Sequence, residues 1–111
     1  MVWIGITQGE YEQAQEQQQR ALEIASTTFG AESNQAITQL NNLGAISFAA
    51  ERFAEAYTQF SRALALQEGL GPTENSSSTV VLQNCILAAQ RCGKEKEAKQ
   101  LRRQLRLLKK G

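Results

Sequence analysis

An all-α fold built as a stack of antiparallel helix pairs is predicted by three observations. The composition is rich in Ala, Leu, Gln, Glu and Arg and contains one proline in 111 residues, which favours helix over strand. A 16-residue segment, GEYEQAQEQQQRALEI at 9–24, recurs as ERFAEAYTQFSRALAL at 51–66, a shift of 42. Gly30, Gly69, Gly71, Pro72 and Gly93 fall where helices would stop or turn.

The shift pairs Tyr11 with Phe53, Ala14 with Ala56 and Arg20-Ala21-Leu22 with Arg62-Ala63-Leu64. Applied again, it carries Ala56 onto Ala98, Leu40 onto Leu82 and Asn42 onto Asn84, a third and more diverged copy. Each copy reads as two helices. In the middle one, Ser33 is a candidate N-cap for a helix over about 34–50, whose Leu40, Leu43, Ile46 and Ala50 recur at three- and four-residue spacing. A second helix over about 53–68 places Ala56, Phe60, Ala63 and Leu64 on one face, and Gly69-Leu70-Gly71-Pro72 stops it. Phe29-Gly30 closes the earlier copy in the same way. The run Asn75-Ser76-Ser77-Ser78 reads as a polar connector, followed by helices over 80–91 and 94–110 with Gly93 at the turn. Small alanines at 14, 56 and 98 let paired helices approach closely where they cross, and a bulky residue there would separate them.

The net charge of +1 is unevenly spread: residues 1–90 carry nine acidic and three basic side chains, residues 91–111 two acidic and nine basic. No run approaches the roughly 18–20 apolar residues that span a bilayer, and the opening MVWIGITQGE lacks a basic start and long apolar stretch, so the chain is expected in the cytosol. Cys85 and Cys92, seven apart on a helix, have Cα atoms separated by ~10.5 Å along the axis, beyond the ~7 Å limit of a disulfide. There is no histidine, which removes the commonest general base and metal ligand. Gly69 and Gly71 fit a helix stop better than a phosphate loop, and Glu10, Glu12, Glu16 and Glu23 fall where a solvated helix face is expected. No catalytic site, metal site or cofactor is expected.

Leu40, Leu43-Gly44 on the first helix and Ala56, Phe60, Ala63 on the second resemble the pattern of the tetratricopeptide repeat. The period of 42, longer than the usual ~34, together with the Leu-Asn-Asn-Leu opening and the Phe29-Gly30 and Leu70-Gly71 closes, resembles the kinesin light chain type. The resemblance implies a right-handed solenoid of helix hairpins, of about two and a half repeats. Residues 1–32 would form a truncated repeat, because Met1 aligns with Leu43; 33–75 a complete one; and 76–111 a C-terminal repeat ending in a basic capping helix. Departures are Ser47 in place of the aromatic, with Phe48 beside it to compensate, Cys85-Ile86 in place of Leu-Gly, and Arg102 and Leu105 where Phe60 and Ala63 stand.

The resemblance further implies a non-catalytic scaffold that receives an extended peptide or a helix in the concave groove lined by first helices. Its floor would comprise Thr38, Asn41, Asn42, Ala45 and Phe48 from the middle copy and Gln83, Asn84, Leu87, Gln90 and Arg91 from the last. Side-chain amides both donate and accept, so Asn42 and Asn84 could hold a peptide backbone whatever its side chains; alternatively they bond between helices and stabilise the stack. Val80 and Asn84 stand where a carboxylate clamp would need basic groups. The second candidate surface is basic: Arg102, Arg103, Arg106, Lys109 and Lys110, flanking a stripe of Ala98, Leu101, Leu105 and Leu108. It reads as a solubilising cap, or as a contact for an acidic protein or another copy of the chain. Nucleic acid or an anionic membrane is less favoured, because no aromatic residue is interleaved with the basic ones. The surface of Trp3, Ile4 and Ile6, left open by truncation, is a further candidate for self-association.

Overall fold

The computed structural model describes residues 8–69 and 76–110, and these form five helices: α1 Gln8–Phe29, α2 Asn34–Ala49, α3 Phe53–Gly69, α4 Ser76–Arg91 and α5 Glu95–Lys110. Each helix packs on the next in the chain, so the layers stack in sequence order. The all-α expectation holds. Trp3, Ile4 and Ile6 lie outside the described residues.

Local chemistry sets the joints. Gly30 ends α1 at φ +100°, donating its N–H to Ser26 O at 3.0 Å. Ser33 then caps α2 from extended backbone: its Oγ accepts from the Ala36 N–H at 3.1 Å and donates to Gly30 O at 2.7 Å. One hydroxyl thus caps α2 and ties it to the residue that follows α1.

The turns inside the two complete hairpins are the same motif. After α2, the Arg52 N–H donates to Ser47 O at 2.8 Å and the Glu51 N–H to Phe48 O at 2.9 Å, with Glu51 at φ +61°. After α4, the Lys94 N–H donates to Ala89 O at 2.8 Å and the Gly93 N–H to Gln90 O at 3.4 Å, with Gly93 at φ +84°. Both are Schellman closures, and the left-handed residues are 42 apart. Gly9, in the same register, lies inside α1.

Two adjoining groups of buried side chains make the core. Leu22, Ala36, Ile37, Leu40, Leu43, Ala63 and Val81 join α1 to α4, and Ala56, Phe60, Cys85 and Ala88 join α3 to α4, with Leu64 packing against both. Ile46 and Ala50, expected beside Leu40, are half-buried. The crossing alanines Ala56 and Ala98 are fully buried, whereas Ala14 is half-buried. Gly44 has a packing reason of its own: a Cβ there would come within 3.0 Å of three ring atoms of Phe60.

The serine run differs from expectation. Residues 76–79 belong to α4, because serine tolerates the first turn of a helix, where backbone N–H groups have no intrahelical acceptor. Polarity alone made them look like a connector.

Two substitutions separate packing from backbone effects. Gly44→Ala raises intrinsic helix propensity by about 1 kcal/mol, yet crowding Phe60 costs about 1–3 kcal/mol, so the thermal midpoint is expected to fall. Glu51→Gly is expected to raise it, by about 0.5–1 kcal/mol of stability, because glycine enters the left-handed region without the Cβ penalty. Thermal unfolding followed by circular dichroism reads both.

Candidate functional site

The expected floor residues are presented by α2 and α4, and part of them converge. Ala45 and Phe48 of α2, Asn84 and Leu87 of α4 and one edge of Phe60 of α3 line a cleft of about 110 Å³. Leu87 is 48% exposed, a large apolar side chain held at the mouth. Phe48 is fixed by an edge-to-face contact with Phe53, ring centroids 5.0 Å apart.

The amides sort differently from the repeat register. Asn84 Nδ2 donates to Asn41 Oδ1 at 3.0 Å, across the cleft side of the α2 and α4 pair. Asn42, its equivalent 42 residues earlier, is exposed, and its side chain makes no hydrogen bond among the described residues. Asn84 therefore has the inter-helix role that was the alternative to peptide binding, while keeping a place in the cleft wall. Thr38 spends its hydroxyl on Asn34 O at 3.0 Å, and Gln83 and Gln90 are exposed. Arg91 is exposed, with its guanidinium 5.7 Å from the Phe53 ring centroid.

Ser47 and Phe48 divide the work of the expected aromatic. Ser47 is fully buried and donates to Gln59 Oε1 at 2.8 Å, whereas Phe48 turns to the cleft. Buried close by is Tyr11 of α1, whose hydroxyl donates to Glu55 Oε2 at 2.7 Å; burial and Glu55 both raise its pKa. The Arg52 guanidinium lies 4.5 Å from the Tyr11 ring centroid and donates to Gln8 Oε1 at 2.7 Å. Lys94, equivalent to Arg52, covers Tyr57 of α3 at 5.5 Å. Each turn thus sends a cation onto an aromatic ring of an earlier helix.

On α5, Lys99, Arg102, Arg103 and Arg106 with Leu105 border an open hollow of about 560 Å³. Lys99 was missed by sequence reasoning, which began the basic patch at Arg102; the i, i+3, i+4, i+7 spacing would have found it. Arg102 is half-buried and lies 3.8 Å from Glu95, and its buried Nε has no hydrogen-bond partner among the described residues. The side chains of Leu108, Lys109 and Lys110 fall outside the described ones.

A tetratricopeptide repeat family model matches residues 6–69, more than half of the sequence. The chain belongs to the tetratricopeptide repeat family. The match takes in α1, α2 and α3, and the third, diverged copy lies beyond it. No curated protein matches the chain. Tetratricopeptide repeats generally mediate protein–protein interaction, and proteins built from them are typically non-catalytic scaffolds. Among the described residues no helix is long and apolar enough to cross a membrane, and no three His, Cys, Asp or Glu side chains are grouped as metal ligands.

The cysteines are free and differ in environment. Cys85 is fully buried, and that burial pushes its thiol up to about 12 from 9.0; Cys92 is half-buried. An acid whose folded-state pKa is raised keeps its proton longer in the folded chain, so its contribution to stability is full below about pH 9 and is lost as pH rises towards 12. Unfolding free energy is expected to decline above pH 9, and Cys85→Ala to make the decline shallower. Alkylation of the native chain by iodoacetamide should modify Cys92 and spare Cys85 until denaturant is added, as read by mass spectrometry.

Proposed function

We propose that this chain is a cytosolic protein-interaction scaffold that holds an extended peptide along the exposed faces of α2 and α4. The observation that carries this reading is the cleft between Phe48 and Leu87, open to solvent and flanked by the Asn41–Asn84 amide pair. A 110 Å³ cleft suits one aliphatic side chain, since a cavity of about 150 Å³ holds a benzene ring. Asn42, Gln83 and Gln90 line the exposed surface around it and offer amides to a peptide backbone. Arg91, one helical turn beyond Leu87, is the one charged member of the ten floor residues and favours an acidic group at that end.

A non-catalytic role is supported by the family and by a sequence without histidine. The 42-residue period supports placing the repeats with the kinesin-light-chain-like kind, and the cationic α5 supports its role as a cap on the stack.

The test uses a random linear peptide library displayed on phage, selected against the full chain. Selected peptides are expected to share an apolar anchor and to bind Leu87→Asp at least tenfold more weakly, equivalent to about 1.4 kcal/mol. Asn41→Ala combined with Asn84→Ala should also weaken them, whereas neutralising Arg102, Arg103 and Arg106 should not. Circular dichroism checks that the variants fold. No enrichment of peptides, or equal binding by Leu87→Asp, would overturn the groove reading.

A further inference from the structure

We infer that the hollow on α5 is a docking site for α1 of a second copy of this chain, giving a salt-sensitive head-to-tail association. Lys99, Arg102, Arg103 and Arg106 repeat at i, i+3, i+4 and i+7, which places all four on one face over ~10.5 Å of helix. Like charges at this spacing repel one another. Among the described residues Arg102 has one ion-pair partner, Glu95 at 3.8 Å, Glu68 is bonded to Gln104, and the buried Arg102 Nε has no acceptor. Among the described residues the face holds more cationic donors than acceptors that meet them.

The complement is on α1. Glu12, Gln15, Glu16 and Gln19 border one surface hollow and share the same i, i+3, i+4, i+7 spacing. Set against α5, Glu12 and Glu16 meet the guanidinium groups while the two glutamine amides supply further acceptors. Gln8 and Arg20 already hold these carboxylates, at 3.0 Å each. Exposed contacts of that kind contribute little to stability, so they can give way to partners on another copy.

The two faces do not meet within one molecule. α1 packs chiefly on α2 and α5 chiefly on α4, with α3 between those pairs. Attraction between them must therefore act between copies, and because the patches differ the contact is heterologous and adds copies in one direction. A nucleic acid is the poorer occupant, as the hollow offers Leu105 but no aromatic ring for a base to stack on.

Sedimentation velocity on the full chain tests the proposal. The mass of the wild-type chain should rise with protein concentration in low salt and return to that of a single chain at about 1 M salt, where the Debye length is ~3 Å. Glu12→Lys with Glu16→Lys, and separately Arg103→Glu with Arg106→Glu, should each remain single. An equimolar mixture of the two variants restores one unaltered interface and should assemble. Should the lysine variant fail to fold by circular dichroism, Glu12→Gln with Glu16→Gln replaces it, with weaker association expected. A wild-type chain that stays single at every concentration, variants that assemble like it, or a mixture of folded variants that stays single overturns the proposal. So does wild-type binding to single-stranded RNA or phosphatidylserine vesicles while remaining a single chain.

Discussion

The contact on which the architecture turns is Gly44 against the ring of Phe60. Because position 44 carries no side chain, α3 can seat a full phenyl ring on the backbone of α2, and that seating fixes how the central hairpin closes. The consequences run both ways from the ring. One side packs with Ala56, Cys85 and Ala88 in the core shared with α4, and the other edge becomes part of the wall of the surface cleft. The same side chain that holds the stack together therefore shapes the candidate peptide site, so a substitution that disturbs the interior also disturbs the groove.

Polar side chains join the repeats where apolar ones alone would leave the angle loose. Arg52 spans the ring of Tyr11, Gln8 and the neighbourhood of Glu55, and Tyr11 itself bonds Glu55. Burying a tyrosine hydroxyl without a partner would be costly, so the bond to Glu55 is part of the reason Tyr11 can lie in the interior. The next joint has Lys94 over Tyr57, and Gln104 of α5 bonded to Glu68 of α3 at 3.0 Å. Gln18 of α1 bonds Gln39 of α2. These bonds act at specific angles, which apolar burial does not.

Much of this order was legible in the sequence, because a 42-residue self-alignment and three- to four-residue spacing encode helix, register and core together. Leu40, Leu43, Ala56, Phe60 and Ala63 lie where the pattern put them. What was not legible depends on distances between helices. The repeat equates Asn42 with Asn84, but adjacent helices are offset, so Asn84 meets Asn41. Phe60 was read as core alone, since periodicity assigns a side to a residue and cannot show that a large ring has two surroundings. The start of α4 at Ser76 escaped because serine is equally at home in a connector and in a first helical turn.

The packing of each helix on its successor also bears on how the chain reaches this structure. When nearly every contact joins neighbours in sequence, loops are closed over short spans, and the entropic barrier to forming the first native contacts is low. The α2 and α3 hairpin, with its Schellman turn and the Phe60 seat, is the natural nucleus from which order spreads to α4 on one side and α1 on the other. Helix α5 packs chiefly on α4, so it can join the stack only once α4 is in place.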